Sequence, residues 1–388
     1  MRLPVGRTTP LLCVLAVLGC EQATGPSAAP ATITLASPAK IVYEGAALSL
    51  SAVATDGGAI TYASRDPEIA RVSPDGVVSG ILTGSTYVIA ASGTARDSVL
   101  LTVLVRRDGF DGRPYGAAIS RDGLAFVTVI GLEEVARAPV PFPEFTTAAR
   151  VGAVPTDVQF NSTGTRAYVS NQFDESIAEI DVATGAWIDT IAVEGDAFRV
   201  LVAPGDSMLW VTTNANSVFV IRLATKEIVA RIPTVQDVNG LAARGDRVWI
   251  STLWAGTVLE VNAHSYAVER VFDVGGIPQE LIVSPDGERL YIANEAGKVQ
   301  IWSLDNGTEL ASIALPGGGG FGMARHPGNG FLYVSTGYYS RTVWVVNPES
   351  EAIVRRIQTG GTPRRIAFDP GAQIGIVTNE YGWIDLIH

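Results

Sequence analysis

Histidine, cysteine and basic residues are scarce in this 388-residue chain, and each scarcity narrows what the protein can do. The three histidines are His264, His326 and His388. None falls in the loops that the repeat described below brings together, so haem or copper ligation by imidazole has no candidates there. The two cysteines are Cys13 and Cys20, too close to the N-terminus to staple a fold. Lys and Arg number 28 against 39 Asp and Glu, a net charge of −11. Basic residues cluster only as the pairs Arg106-Arg107, Arg355-Arg356 and Arg364-Arg365. Contact along a nucleic-acid backbone needs clustered positive charge, so no nucleic-acid partner is expected. Helical periodicity is nearly absent, and no phosphate loop, nucleophile elbow or metal-ligand spacing occurs. What is abundant is glycine (41), proline (21) and apolar side chains (47%), the composition of strands joined by tight turns around a real core.

Arg2 and Arg7 precede an apolar run over residues 11–18 that is too short to span a bilayer. It ends in Val17-Leu18-Gly19-Cys20, which resembles the lipobox of bacterial lipoprotein precursors. That resemblance implies a signal peptide over 1–19 and a diacylglycerol on the Cys20 sulfur. Residues 20–31, rich in Ala, Pro, Ser and Gly, read as a flexible tether. Cys13 would leave with the signal, so Cys20 has no internal disulfide partner and lipidation is its natural use. The expected location is the cell envelope, with the membrane a partner through acylated Cys20.

Short alternating strands separated by Gly, Asp and Pro follow over 32–104, the pattern of a β-sandwich. The run Tyr62-Ala63-Ser64-Arg65-Asp66-Pro67-Glu68-Ile69-Ala70-Arg71-Val72-Ser73-Pro74-Asp75-Gly76-Val77-Val78-Ser79-Gly80, with Gly84-Ser85-Thr86-Tyr87-Val88-Ile89-Ala90-Ala91 after it, resembles the group 2 bacterial Ig-like family. It departs from that family in having Tyr62 where Trp is usual. Alternation turns Ile69, Val72 and Val78 inward. The resemblance implies a spacer or adhesion module.

From residue 105 the chain repeats. The strand Tyr168-Val169-Ser170-Asn171 has counterparts beginning at Phe126, Trp210, Trp249, Tyr291, Tyr333 and Ile376, at intervals of 42, 42, 39, 42, 42 and 43 residues. Seven such units, each divisible into four short strands, predict a seven-bladed β-propeller over 105–388. The repeat resembles the YVTN family of propeller repeats. The expected fold class is therefore all-β, an Ig-like sandwich followed by a propeller. The last unit stops after its third strand. Val105-Arg106-Arg107, Gly112 and Pro114 match Val354-Arg355-Arg356, Gly361 and Pro363 at a constant offset of 249, so the missing outer strand should come from the start of the repeat region. The recurring Asn171, Asn214, Asn294 and Asn379 are read as structural residues sharing one position in four blades. Gly317-Gly318-Gly319-Gly320 is read as a flexible loop between blades.

Ligands of such a ring bind at the mouth of its channel. Two loop sets meet there: those joining one blade to the next, and those joining second and third strands. The first set supplies Tyr115, Asp157, Phe198, Arg199, Asn239, Gln279, Glu280, Phe321, Arg364 and Arg365. The second supplies Glu133, Phe173, Asp174, Trp254, Glu295, Tyr338, Tyr339, Glu380 and Tyr381. Tyr338, Tyr339 and Tyr381 are expected to form one apolar shelf, with Arg364 and Arg365 favouring an anionic group. The expected function is a noncatalytic, monomeric envelope lipoprotein that binds a protein or small molecule at this mouth. No cofactor, catalytic residue or metal ligand is assigned. The alternative is a hydrolase or lyase of the lactonase or streptogramin-lyase kind, with a metal held by mouth carboxylates such as Glu280, Glu295 and Asp174.

Overall fold

A computed structural model describes residues 30–387, apart from Pro38, 141–143, Gln236 and 372–373. Cys20 and the segments read as signal and tether lie outside the described residues. The rest is strand and turn. Seven four-stranded antiparallel sheets follow one another between Arg106 and Ile387. Blade 2 shows the plan: inner strand Pro155–Phe160, then Arg166–Asn171, Ser176–Asp181 and outer strand Trp187–Ala192. The second and third strands are buried nearly throughout, whereas the outer strand exposes all but one residue. This gradient explains the sequence texture: a strand sandwiched between two neighbouring sheets needs apolar residues on both faces, and one at the periphery does not.

The propeller has no single central core. Each of its seven seams holds its own cluster. Phe126, Val135 and Val151 of blade 1 meet Val158, Val169 and Ile180 of blade 2. The last seam packs Ile376, Ile384 and Leu386 of blade 7 against Ala125, Val127 and Val129 of blade 1. The ring therefore closes through apolar contact, and it is also latched by hydrogen bonds. Arg106–Gly109 pairs antiparallel with Trp383–Ile387, Arg106 opposite Leu386 and Gly109 opposite Trp383, as the offset of 249 implies. The added strand covers Trp383–Ile387 and gives the last sheet the same four strands as the other six, so its third strand is not left as a bare edge.

The two recurrent turns follow from their side chains. In Ser284-Pro285-Asp286-Gly287, Gly287 sits at φ +83° and donates to Ser284 O at 2.9 Å. In Asp181-Val182-Ala183-Thr184-Gly185, Asp181 Oδ1 accepts from Thr184 N at 3.0 Å, fixing the turn before the outer strand.

The N-terminal unit is separate in its packing. Ile41–Tyr43, Ala95–Leu104, Gly84–Ser92 and Thr61–Ser64 form one sheet; Ala47–Ser49, Val77–Gly80 and Ala70–Val72 form another. Val42, Leu50, Ala70, Val78, Val88, Leu101 and Val103 from both make one cluster, with Ile69 and Val72 partly buried against it. Its last strand ends at Leu104, and the blade-7 strand begins at Arg106. Val105 between them is buried in the seam of blades 6 and 7.

Candidate ligand-binding site at the channel mouth

Every inner strand starts at the mouth, and six of the seven carry a register shift near that end, as between Pro155 and Asp157 or Ala197 and Arg199. The shift leaves backbone groups outside the ladder. They are satisfied by the hydroxyl at the third position of the repeated motif. Thr128 Oγ1 accepts from Gly116 N, Thr212 Oγ1 from Arg199 N, Ser251 Oγ from Gly240 N, Ser335 Oγ from Gly322 N and Thr378 Oγ1 from Arg365 N. Several of these hydroxyls also donate to a carbonyl of the next blade: Ser170 to Phe198 O, Ser251 to Gln279 O, Ser335 to Arg364 O and Thr378 to Tyr115 O. This belt ties neighbouring blades and holds the channel-lining residues in place. Blade 5 has Ala293 at the position and lacks the hydroxyl.

The fourth position is structural too, with a correction. Asn171, Asn294 and Asn379 are fully buried and stand opposite the first residue of their inner strands. Asn379 Oδ1 accepts from Thr362 N at 2.8 Å, and Asn294 Oδ1 from Ile277 N at 2.8 Å, pinning the preceding inter-blade loop. Asn214 does not share the position. Thr213 occupies it, and Asn214 lies one residue later, accepting from Asp196 N. The four-glycine run is corrected as well: a Cβ on Gly319 would lie 2.6 Å from Thr336 O, and one on Gly320 would press on the Asn294 backbone. All four glycines also sit at positive φ, so left-handed backbone together with close packing accounts for the run.

Around the axis the expected site residues separate into two groups that do not form one surface. Tyr115, Arg199, Glu280, Phe321 and Arg365 are buried and turned on each other. Arg199 Nη2 donates to Glu280 Oε1 at 2.7 Å, and Arg365 Nη1 to Glu280 Oε2 at 2.6 Å. Arg199 Nε lies 3.3 Å from Asp157 Oδ2, which also accepts from Val200 N. Blades 2, 3, 5 and 7 thus meet in one charged layer across the channel. Burial pushes the Asp157 carboxyl above the usual range, against the pull of Arg199. One residue nearer the mouth is an aromatic layer. The Tyr115 ring stands edge-on to Phe198 and Phe321, each 6.3 Å away, and the Arg364 guanidinium lies 4.5 Å from Phe321 and 5.3 Å from Tyr115. Glu380 holds Arg364 at 2.9 Å and Arg113 at 3.2 Å. Half-buried Glu295 has its carboxyl pushed up by burial, against the opposing pull of Gln279 beside it.

The second group is the rim. Trp254 (64% exposed), Phe173 (65%), Tyr381 (62%), Tyr338 and Tyr339 project from loops between second and third strands. The tyrosines do not make the single shelf expected of them. Tyr338 and Tyr339 stack at 4.5 Å, whereas Tyr381 turns to Trp383 (5.9 Å) and Arg341 (6.0 Å). Sequence reasoning missed Leu132, exposed in a loop of the same kind, Val235, exposed in the loop between blades 3 and 4, and the positioning roles of Arg113 and Arg341. Among the described residues, no exposed large apolar side chain lies in the turns of the opposite face. Charge does not distinguish the faces: Asp122, Asp206, Asp246 and Asp286 mark the far side as Glu133, Asp174, Asp196 and Asp237 mark the mouth.

The carboxylates of a metal-dependent mouth site are already engaged. Both oxygens of Glu280 take guanidinium N–H groups, and Asp174 Oδ2 accepts from Ala153 N at 2.7 Å. Among the described residues, no three His, Cys, Asp or Glu side chains converge as a metal site. Of the histidines, His264 lies in a turn before an outer strand and His326 in the turn after the inner strand of blade 6, away from the mouth, and His388 lies outside the described residues.

A ring of four-stranded antiparallel sheets around a plugged axis defines the class: the protein is a β-propeller. Solved structures agree. A chain of the mitotic checkpoint complex crystal structure superimposes with a TM-score of 0.65 at 11% identity, covering 72% of this chain and 90% of that one. A chain of hydrazine synthase from Kuenenia stuttgartiensis gives 0.63 at 18% identity, covering 71% and 95%. No protein-family model and no curated protein matches the sequence.

Proposed function

We propose that this is an exported lipoprotein of the cell envelope, held by acylated Cys20. In this reading, residues 32–104 are a group 2 Ig-like spacer, and a YVTN-type propeller binds a partner through its mouth without catalysing a reaction. The observation that carries the binding role is the concentration of exposed aromatic side chains on one face, at Phe173, Trp254, Tyr338, Tyr339 and Tyr381. Large rings offer much contact area at little entropic cost and dominate binding hot spots. The plugged axis favours a partner lying across the rim over one threading the channel, and the engaged carboxylates favour binding over metal-assisted hydrolysis. That a propeller of similar fold belongs to the mitotic checkpoint complex fits use of the fold as a docking platform.

Photo-crosslinking tests it. A photoreactive residue at Trp254 or Tyr338 should give one discrete adduct in cells, and the same residue at Glu288 on the opposite face should not. The adduct should disappear when Phe173 and Tyr381 are both replaced by Ala while the melting temperature stays unchanged. Equal adducts from both faces, or a melting shift with the adduct intact, refute the rim as the docking surface.

A further inference from the structure

The charged layer under the aromatic roof has more donors than acceptors. Arg199 and Arg365 are 6% and 3% exposed. A guanidinium carries five N–H groups in a fixed fork and accepts nothing. Glu280 uses both its oxygens, one on Arg199 and one on Arg365. Arg199 Nη1 and Arg365 Nε and Nη2 are buried and have no hydrogen-bond partner. Leaving such donors unmet is costly, and buried ones are normally satisfied by protein, water or an ion.

Which atoms are left over is informative. Arg365 spends Nη1 on Glu280 and keeps Nε and Nη2. Those two nitrogens form the side-on edge of the guanidinium, whose parallel N–H bonds match the two oxygens of a carboxylate. The Phe321 ring, 4.8 Å from the Arg365 guanidinium, fixes the plane of that fork. We infer that the channel axis beneath Tyr115, Phe198 and Phe321 is a carboxylate-binding site, in which the Nε–Nη2 edge of Arg365 takes a small planar monoanion bidentately and Arg199 Nη1 supplies a further donor.

Arg199 and Arg365 face Glu280 and Asp157 at the axis, and burial holds the Asp157 carboxyl above its usual range against the pull of Arg199. Burial and then the neighbouring Arg199 hold the pKa of Arg365 below its ordinary value, whereas, against the cost of burial, Asp157 and Glu280 hold that of Arg199 above its own. The site lies below the rim and does not depend on the docking role proposed above.

Formate is the probe, titrated calorimetrically into the full chain against chloride at constant ionic strength. Saturable one-to-one binding of formate, with none of chloride, is expected. Arg365→Lys keeps a cation beside Glu280 but loses the fork, and should weaken formate by about tenfold or more, the loss expected for one charge-assisted hydrogen bond. Trp254→Ala should bind formate as the parent does, which separates this site from the rim. No saturable formate binding means that water alone meets these donors and overturns the inference. Equal binding of chloride, or undiminished binding by a folded Arg365→Lys protein, overturns it too. Should Arg365→Lys fail to fold, the formate–chloride comparison on the parent still decides.

Discussion

His326 is a buried imidazole used as a turn cap. Its Nδ1 accepts from Gly328 N and Asn329 N, each at 3.1 Å, while Tyr333 and Phe368 pack against the ring. Ser120, Asn161, Ser284 and Asp369 cap the same turn in other blades with oxygen acceptors. Only neutral imidazole can accept at Nδ1, and burial holds the pKa below its ordinary value, against a smaller upward pull from Asp369. The sign follows. A base with a depressed folded-state pKa adds stability above its unfolded pKa of about 6.5, and that stability is lost as pH falls through the lowered value. The protein should therefore lose about 1 kcal/mol through this group on acidification, roughly one hydrogen bond. His326→Asn supplies an oxygen acceptor instead. Its melting temperature should fall less steeply than the parent's as pH drops below about 6.5; parallel curves would show that His326 is not the titrating group.

Between blades the decisive element is the second strand, where the third residue of the repeated motif serves two blades at once. Ser251 shows it: the hydroxyl accepts from Gly240 N at 2.7 Å and donates to Gln279 O at 3.2 Å. Ser251→Ala leaves both backbone groups buried and unpaired at the seam of blades 4 and 5, and should cost about 1–3 kcal/mol in chemical denaturation. A cost near zero would mean that the belt is incidental to cohesion. Closure is the other property of elements. Deleting 105–111 removes Arg106–Gly109 and uncovers Trp383–Ile387, so a large loss of melting temperature and a rise in aggregation are expected by calorimetry and light scattering. A deletion protein that melts like the parent would show that apolar packing of blades 7 and 1 closes the ring unaided.

At the scale of the whole molecule, the N-terminal unit is braced as well as tethered. Glu44 Oε1 takes Arg355 Nη2 at 2.8 Å and Thr83 N at 2.8 Å, and Thr83 Oγ1 donates to Arg356 O at 3.0 Å. Those contacts set the unit against the outer strand of blade 6, Ala352–Gln358, and Val105 buries itself at the junction. Under the proposed anchoring, Cys20→Ser should move the protein from the membrane fraction to the soluble one with its melting temperature unchanged. Retention in the membrane fraction would dismiss Cys20 as the attachment point.

The repeat interval, the strand–turn texture and the 249-residue offset are local properties of the chain, so blade number and the source of the closing strand are legible in the sequence itself. Each rests on a periodicity that a blade needs by itself: apolar runs where a strand is covered on both faces, and Asp-Gly or Thr-Gly where the backbone must turn left-handed. The rim is partly legible for the same reason, since a loop tip at a known blade position faces the mouth whatever its neighbours are. What the axis contains is not. Arg199, Glu280 and Arg365 stand 81 and 85 residues apart along the chain, and their pairing depends on the channel width and on inner-strand register shifts that carry no sequence mark. Nothing local distinguishes Arg365, closed in and committed to Glu280, from adjacent Arg364, which reaches Glu380 at the mouth. Nor does chain order say that Tyr381 turns to Trp383 and away from the Tyr338–Tyr339 pair. Local physics chose the strands and the ring; only tertiary packing decided which mouth residues became a buried plug and which stayed open to a partner, because burial is set by what the other six blades bring to the same axis.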